Sequence, residues 1–518
     1  MSIALVIAVS YFVVLSAGVS LWTRRHVKSG NDFVTGGGKL PWILVAAAFS
    51  IAPLGAGHTL SLWQRAVHPE NGMGVSVLLW GIMSGGVFVP LFILWFGPWF
   101  RRLKVQTFPE GFGKIFGDNI GYVISAVFPA QLLGICIGEI LATATAFYAL
   151  SGGVRGPLEF EHCIILAIVL TIAYVFVGGL LQVAWMNLFN AIVLICGSFI
   201  AVFYTGVWLK RPNSTIGWDG GGWDEIAVHY AGKAESWKLD LTHFTPEVLF
   251  VLIIPCFILT VFMCSASQVQ NQPMLLAKSE SDIRRGVFVC SIVNSMTTYP
   301  WVIIALVGMV LVPMFMMSAT PGIDAVVSPR DSVTEFALMA FPPWLVGILM
   351  TALLAATLST TGQLILASSH IVANDIFRRA CNPRMSDRTF FILTRVLIVV
   401  FALVVIIPAM RQPSLMVLLY WVFSFAVPVF AVYLIGMLWK VNKVAAWTTL
   451  LAGYFASFFW TFYLQANWPK WIPGYFNENV YPTIAATLLF GIVMNLILPG
   501  KPGYLWQMKA AEKNGTTL

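Results

Sequence analysis

The chain has 518 residues, of which 58% are hydrophobic and only 10% are charged. Soluble domains carry about 25% charged residues, so this composition excludes an ordinary soluble protein and predicts a polytopic protein of the lipid bilayer. The net charge of +8 reflects basic loops and does not indicate a nucleic-acid-binding surface. The seven cysteines are scattered without a C-x-x-C pair, which predicts packing thiols and neither a disulfide framework nor a metal site.

Thirteen apolar segments are long enough to cross a bilayer. The first is too long for the core of a signal peptide, so we expect it to stay in the protein. The predicted limits are 3–22, 41–66, 75–100, 119–149, 162–178, 184–209, 247–266, 286–314, 337–373, 389–409, 413–438, 444–464 and 480–498.

Basic residues are concentrated in alternate loops: 20 of the 30 Lys and Arg residues follow odd-numbered spans. Because basic loops stay in the cytoplasm, this asymmetry predicts an N-terminus outside the cell and a C-terminus inside. We expect a multi-pass protein of the plasma membrane, which in a bacterium is the inner membrane. The polar stretch 210–243 would then lie outside, either as a lid over a vestibule or as a plain surface loop.

The second span contains a helix-breaking cluster near its middle. Pro53 lacks a backbone donor, and Gly55 and Gly57 add backbone freedom, so an unwound segment is predicted. A membrane tolerates such a break only where it lines a cavity or is buried in protein. Carbonyl groups around the break, such as those of Ile51 and Leu54, would lose their helical partners and become available to a cation.

The seventh span carries a matching weak point, in which Pro255 is followed by the polar stretch 264–273. Two interrupted helices five spans apart are typical of an inverted-repeat secondary transporter, with its site near the middle of the bilayer. A proline kink that only improves packing is the alternative for each break taken singly.

Ser359 and Thr360 lie side by side in a run of small and hydroxyl residues within the ninth span. Hydroxyl groups at this depth need partners, because the hydrocarbon contains no water. Oxygen ligands of this kind suit Na⁺ or another small hard cation. The alternative is that both hydroxyls bond to the carbonyl one turn earlier, or hold helices together.

Five stretches together resemble the sodium:solute symporter family: NDFVTGGGKLPW (31–42), VQTFPEGFGKIFG (105–117), VFVGGLLQVAWMN (175–187), SQVQNQPMLLAKS (267–279) and LLAATLSTTGQLILASSHIVANDIF (353–377). They follow the family's order and spacing across nearly the whole chain. The resemblance implies an all-α integral membrane protein with about 13 transmembrane helices and a LeuT-like 5+5 inverted repeat. The implied segments are an N-terminal flanking helix (1–30), the first repeat (31–209), an external loop (210–246), the second repeat (247–438) and the C-terminal flanking helices with a short tail (439–518).

The resemblance also implies a function, which is sodium-coupled symport of a small organic solute by alternating access, without enzymatic activity or an obligatory protein partner. Carried over by position, the sodium site would consist of the carbonyls of Ile51, Leu54 and Ala356 and the hydroxyls of Ser359 and Thr360. Na⁺ would be the coupling ion, because a shell completed only when the bundle closes favours one conformation.

This chain departs from the family pattern along the cation route. Asn187 stands where many relatives have an Asp, and Pro53 stands where the proline carriers have one. Fewer acidic groups attract Na⁺ less strongly, so proton-coupled or uncoupled transport stays open. Glu139, inside the fourth span, could be a proton relay, a counter-charge for a cationic solute, or a structural partner.

The solute pocket of the family lies between the two broken helices and the fourth and eleventh spans. Aromatic residues there would suit an ammonium group or a flat ring, although packing is the alternative for each. Met263 stands where sugar carriers have an aromatic residue, which argues against a sugar and leaves an amino acid, an amine or a carboxylate. The positions that map to the pocket are Pro53, Gly55, Gly57, His58, Trp63, Thr260, Met263, Cys264, Tyr420, Trp421 and Ser424.

Overall fold

The computed structural model describes residues 3–24, 40–51, 55–69, 72–176, 179–269, 273–274, 277–319 and 328–514. Most of these residues are helical. A helix satisfies its own backbone groups, which is what a chain inside hydrocarbon requires. The expected all-α class is therefore confirmed.

The first group of helices precedes the polar stretch that begins at residue 210, and short 3₁₀ turns at Gly74–Val77 and Gly153–Arg155 connect some of them. These helices are α1 (Ile3–Arg24), α2 (Trp42–Ile51), α3 (Ala56–Val67), α4 (Leu78–Gly81, then the π-helical Ile82–Phe88, then Val89–Arg102), α5 (Phe108–Phe116), α6 (Asp118–Leu150), α7 (Phe160–Phe176) and α8 (Gly179–Leu209).

The polar stretch contains a surface helix, α9 (Trp223–Gly232), and a 3₁₀ turn at Ser236–Leu239. The helices that follow it are α10 (the π-helical Val248–Ile253, then Ile254–Ala266), α11 (Glu280–Met296), α12 (Tyr299–Ala319), α13 (Ser332–Ala340), α14 (Pro343–Ile371, then the π-helical Val372–Cys381), α15 (Asp387–Met410), α16 (Leu415–Ser424) and α17 (Ala426–Leu438).

The C-terminal part adds three helices and a two-stranded ribbon. The strands β1 (Lys440–Val441) and β2 (Lys501–Pro502) are antiparallel, with Lys440 opposite Pro502. A 3₁₀ turn at Gly474–Phe476 precedes the second of the three helices. These helices are α18 (Lys443–Phe459, then the π-helical Trp460–Leu464), α19 (Val480–Ile497) and α20 (Tyr504–Lys513).

Each predicted span coincides with one helix or with a pair of helices. Within the described residues, eight helical stretches are long and apolar enough to cross a membrane, and three shorter apolar helices accompany them. One predicted limit was wrong: the ninth span was drawn to begin at 337, inside the separate helix α13. The eighth span consists of two helices, α11 and α12, joined by a turn at Thr297 and Thr298, and together they form one apolar stretch, Glu280–Ala319.

The helix α14 lies at the centre of the bundle. It packs against α1, α6 and α8, and nearly all of its residues from 345 to 371 are buried. A helix that is buried on all sides needs small residues where neighbours approach closely. Gly197 of α8 is such a position, since a Cβ added there would lie 3.0 Å from the side chain of Ile348.

The seventh span is not interrupted at Pro255, where the sequence placed its first weak point. Pro255 lies in the first turn of the α-helical part of α10, directly after the π-helical turn. Because proline has no N–H, the carbonyl four residues earlier, that of Val251, is left without its helical donor. The O–H of Tyr420 donates to this carbonyl at 2.5 Å instead. The helix ends at Ala266, and Ser267 is not helical.

Candidate functional site

The second span is interrupted where the sequence predicts it. The helix α2 ends at Ile51 and α3 begins at Ala56, after Gly55 with φ −47° and ψ 151°. Two of the predicted site residues, Pro53 and Leu54, lie outside the described residues. The carbonyl groups in the last turn of α2 and the N–H groups in the first turn of α3 therefore have no partners within their own helices.

The central helix α14 contributes a compact group of three oxygen-bearing residues. Ser359 Oγ lies 2.9 Å and Thr360 Oγ1 lies 3.1 Å from the carbonyl oxygen of Ala356, and Ser359 Oγ also lies 2.8 Å from that of Ala355. Both hydroxyl residues are at most 1% exposed. Each hydroxyl oxygen keeps lone pairs after donating its hydrogen, so this arrangement fits back-bonding and leaves oxygen ligands for a cation.

The predicted ligands come from helices that meet. The helix α14 contacts both α2, which ends at Ile51, and α3. Ala356, Ser359 and Thr360 are thus together on one helix, and Ile51 is at the end of a neighbouring one. Within the described residues, no group of three or more His, Cys, Asp or Glu side chains could hold a metal ion. A cation at this position would depend on carbonyl and hydroxyl oxygens.

A buried acid lies directly against the break. Glu139 of α6 is 2% exposed, and a Cβ added at Gly55 would collide with its carboxyl group. A Cβ added at Gly57 would lie 2.7 Å from the carbonyl carbon of Gly138. The two glycines therefore let the first turn of α3 approach the backbone of α6. The N-terminal end of a helix favours negative charge, which suits a carboxylate at this position.

A small cavity opens beside the Glu139 carboxyl group, between α3, α6 and α16, and we call it the His58 cavity. Its volume is about 20 Å³, which is enough for a water molecule and too small for an organic solute. Its lining contains one acid, one histidine and no Lys or Arg. The lining residues are Gly55, Gly57, His58, Gly134, Ile135, Gly138, Glu139, Leu415, Leu418, Leu419 and Phe423.

Comparison with known proteins identifies the family. The model of the sodium:solute symporter family matches residues 33–453, which is most of the chain. The chain belongs to the sodium:solute symporter family. The family resemblance noted in the sequence is thus confirmed, and the relatives named below are transporters and not enzymes.

Relatives and a solved structure match over nearly the full length of this symporter. The sodium/proline symporter of Haemophilus influenzae is 25% identical over 501 residues, which cover 91% of this chain and 90% of the relative. Sodium/myo-inositol cotransporter 2 of Rattus norvegicus is 24% identical over 485 residues, covering 87% and 68%. A Na⁺-coupled sialic acid symporter, solved in a substrate-bound outward-open state, superimposes with a TM-score of 0.76 at 17% identity, covering 97% of this chain and 99% of that one. The LeuT-like fold class expected from the sequence is confirmed by this likeness.

Only some of the predicted solute-binding residues line the His58 cavity of this symporter. Gly55, Gly57 and His58 do, and the His58 ring lies 6.0 Å from that of Trp80. The Nδ1 atom of His58 has no hydrogen-bond partner among the described residues. The side chains of Met263 and Cys264, in the last turn of α10, are not described.

The predicted aromatic residues lie elsewhere. Trp63 stacks on Trp301 with ring centroids 5.6 Å apart, and Trp421 packs edge-on against Phe425 at 4.8 Å. Tyr420 stacks on Trp80 at 5.7 Å and bonds through its O–H to α10. None of the three lines the His58 cavity.

The two hydroxyl residues of the predicted pocket bond locally. Thr260 Oγ1 lies 3.7 Å from the sulfur of Cys256, and Ser424 Oγ donates to the carbonyl of Tyr420 at 2.8 Å. On α16 the cavity is lined by Leu415, Leu419 and the other residues of that face instead. Residues three, four and eight apart share a helix face, whereas Trp421 is about 200° away from Leu419.

Asn187 occupies the position at which the family resemblance leads us to expect an acid. It lies in α8, which packs against α14, and is fully buried. Neither amide atom has a hydrogen-bond partner among the described residues. Asn187 therefore brings a neutral polar group, and no charge, to the buried interior.

Sequence reasoning missed a buried acid beyond the ninth predicted span. Asp375 in the π-helical end of α14 is fully buried. It accepts hydrogen bonds from Thr107 at 2.7 Å, Ser125 at 2.9 Å and Asn374 at 2.8 Å, and lies 3.7 Å from Arg379. The four-residue spacing of Asp375 and Arg379 on one helix was the available signal.

Proposed function

We propose that this protein is a sodium-coupled symporter of a small organic solute, working by alternating access, with Na⁺ held by the carbonyls of Ile51, Leu54 and Ala356 and the hydroxyls of Ser359 and Thr360. The observation that carries the proposal is the interruption between Ile51 and Ala56, because both flanking helices contact α14, the helix that carries the oxygen group. The functions of the two relatives, sodium/proline symport and sodium/myo-inositol cotransport, support Na⁺ as the coupling ion.

The proposed coupling follows from ligands that belong to separate helices. Ile51 and Leu54 flank the break between α2 and α3, and the other three ligands belong to α14. A movement between these helices changes the number of oxygens around the cation, so Na⁺ binds one conformation more tightly. By linkage, the solute that prefers the same conformation binds more tightly when Na⁺ is present.

The solute that fits best carries an amine. Glu139 places a carboxyl group at the N-terminal end of α3, where the carboxylate of a solute would otherwise bind. No Lys or Arg lines the His58 cavity to attract a carboxylate. An ammonium group beside Glu139 gains a charge-assisted hydrogen bond, and a solute with only a carboxylate meets a like charge. The cavity must widen to admit such a solute.

The proposed orientation in the membrane places the N-terminus outside and the C-terminus in the cytoplasm, with segments 31–209 and 247–438 as the two repeats. The alternating basic loops support this orientation. The location is the plasma membrane, which is the inner membrane in a bacterium. A cysteine scan of the loops with a membrane-impermeant thiol reagent tests the orientation.

The test of sodium coupling is uptake into proteoliposomes. A thermal-shift screen of small amines, amino acids and carboxylates, with and without Na⁺, first identifies a solute that stabilises the protein. Uptake of that solute is expected to exceed equilibrium under an inward Na⁺ gradient and to stop when choline replaces Na⁺. Uptake that ignores the Na⁺ gradient would reject the sodium part of the proposal.

A second candidate is proton-coupled or uncoupled transport on the same fold. It is favoured by the neutral Asn187 on the cation route and by the buried carboxyl group of Glu139 at the break. In this case uptake follows an imposed pH gradient without Na⁺ and loses that dependence in Glu139→Gln. The same liposomes separate the two candidates.

A further inference from the structure

A second, more polar cavity lies between α3, α10, α16 and the segment before α19, and we call it the Arg65 cavity. Its volume is about 120 Å³, roughly four times the share of one water molecule in the liquid. One face of α3 supplies four polar residues spaced three, four and seven apart. The lining residues are Ser61, Gln64, Arg65, His68, Val251, Ser414, Val417, Tyr420 and Glu478.

Two opposite charges line this cavity without touching. Arg65 and Glu478 do not approach within 4.0 Å of each other, although both face the same space. Arg65 Nε is buried and has no hydrogen-bond partner among the described residues. Burial raises the pKa of Glu478 to about 7, and the Arg65 guanidinium acts in the opposite direction. Partly buried charges that are kept apart have lost water without gaining a partner, so a bridging ligand is favoured.

The walls of the Arg65 cavity are fixed by the π-helical turn of α10. Its carbonyls at Val251 and Phe250 accept hydrogen bonds from the O–H groups of Tyr420 and Tyr481. The ring of Phe250 stacks on that of Tyr475 at 5.4 Å. These contacts hold α16 and the segment carrying Glu478 in position, so the separation of the two charges is a property of the fold.

The Arg65 cavity lies on the same helices as the His58 cavity. Both are bounded by α3 and α16. Seven residues separate His58 from Arg65, which places them two turns and about 10 Å apart on one face of α3. Leu419 lines the His58 cavity, and Tyr420 lines the Arg65 cavity. We expect a solute that moves along α3 to pass from one cavity to the other.

We propose that the Arg65 cavity is a separate binding site for the charged groups of a zwitterion, with the carboxylate of the solute at Arg65 and its ammonium at Glu478. This inference rests on the proposed transport function, because it makes the cavity a site that the transported solute occupies before it reaches the His58 cavity. It narrows the solute from any amine to one that also carries a carboxylate. The site recognises the charge pair, and the volume leaves little room for selection by the side chain.

The test uses the full-length protein in proteoliposomes with a cysteine placed in the cavity wall. Ser414 is exposed, lines the cavity and caps no N–H with its side chain, so Ser414→Cys is a mild change. Labelling of this cysteine by a maleimide is followed by peptide mass spectrometry in Na⁺-free buffer. The probes share a five-membered ring: L-proline carries both charges, pyrrolidine only the positive one and cyclopentanecarboxylate only the negative one.

The expected result is that L-proline slows labelling, by about threefold when its concentration is twice its dissociation constant, and that the two singly charged probes do not. Protection is lost when Arg65→Gln or Glu478→Gln is added and is kept in part by Arg65→Lys. Protection is unchanged by Glu247→Gln, which removes an exposed acid outside the cavity.

Equal protection by all three probes, absence of protection by L-proline, or protection that survives both neutral variants would overturn the inference. Labelling rates without probe must match the parent, which shows that each variant keeps the cavity intact. Protection without Na⁺-driven uptake rejects the proposed function and leaves this site standing. Na⁺-driven uptake without protection of the cysteine rejects this site and leaves the proposed transport function standing.

Discussion

At the scale of single residues, the two interpretations of Ser359 and Thr360 predict different mutant behaviour. Thr357 on the same helix is equally buried and bonds to the carbonyl of Leu354 at 3.0 Å, but it is not a proposed ligand. Losing one of five ligands is expected to cost about 1–3 kcal/mol of cation binding. Ser359→Ala and Thr360→Ala should therefore raise the Na⁺ concentration for half-maximal uptake by about 5- to 150-fold.

Thr357→Ala is the matched control for this prediction and should leave the Na⁺ dependence unchanged. Expression and thermal stability are measured for all three variants. If they lose folded protein to the same extent and keep the parental Na⁺ dependence, the hydroxyls only support packing.

The contact between Gly55 and Glu139 gives a second prediction. A methyl group in Gly55→Ala has no room beside the carboxyl group, and overpacking of this kind costs about 1–3 kcal/mol. Gly55→Ala should lower the melting temperature, and Gly55→Ala combined with Glu139→Ala should recover it, because the shorter side chain makes room. The control is Gly138→Ala, where the added methyl meets only Leu415 at an ordinary 3.7 Å. A double variant no more stable than Gly55→Ala alone would contradict this explanation.

The sequence predicted the local properties of individual residues more securely than it predicted which residues would contact one another in the fold. The break at Pro53 and the hydroxyl pair at Ser359 follow from backbone chemistry, which acts locally. The sequence could not show that Leu415 and Leu419 of α16 line the His58 cavity, because an apolar helix gives no sign of which face meets a cavity. The carboxyl group of Glu139 was seen as intramembrane, but its approach to Gly55 depends on how α3 and α6 pack.

At the scale of whole helices, proline and π-helical turns explain where the sequence prediction of interruptions was incomplete. Pro255 was expected to weaken the seventh span, and the helix instead continues through it. The freed carbonyl of Val251 is satisfied by Tyr420 from another helix. Such a tertiary hydrogen bond cannot be read from local sequence, because its donor lies 169 residues away. The expectation that proline frees a backbone carbonyl was correct. The helix continues because Tyr420 supplies a hydrogen bond to that carbonyl.

The buried end of α14 supplies a prediction at this scale. Asp375 fastens α14 to Thr107, which caps α5, and to Ser125 of α6. Asp375→Asn replaces an acceptor by a donor in a buried network and should cost about 1–3 kcal/mol of stability. The control is Asp387→Asn, which breaks the 3.2 Å ion pair of a 58% exposed carboxylate with Arg378 and should cost about 0–1 kcal/mol. Thermal unfolding followed by tryptophan fluorescence compares the two, and equal shifts would contradict the role given to Asp375.

At the scale of the whole molecule, the two cavities and the proposed cation site all involve the interrupted second span. The Arg65 cavity, the His58 cavity and the break between α2 and α3 succeed one another along the interrupted span. Arg65 and Glu478 form an oppositely charged pair at one end of this order, and Glu139 lies near its middle. A zwitterion meets partners for both of its charges first and a partner for its ammonium group afterwards, so its orientation is set before it reaches the inner site.

This order predicts that uptake depends on the pH on the side of the membrane from which the solute enters the Arg65 cavity. Burial raises the pKa of Glu478 to about 7, so the carboxyl group is mostly ionised above that pH and mostly neutral below it. An ammonium group is attracted only by the ionised form. Uptake of a zwitterion below saturation should therefore fall, by up to about tenfold, as the pH on that side is lowered from about 8 to about 6.

The other groups that face Glu478 determine the controls for this prediction. Arg65 from α3, His68 directly after α3 and Tyr420 from α16 line the same cavity as Glu478. Glu478→Gln should give uptake that is low and independent of pH, whereas His68→Gln should keep the parental pH profile. If His68→Gln flattens the profile and Glu478→Gln does not, the charge that draws the solute toward the inner site is not that of Glu478.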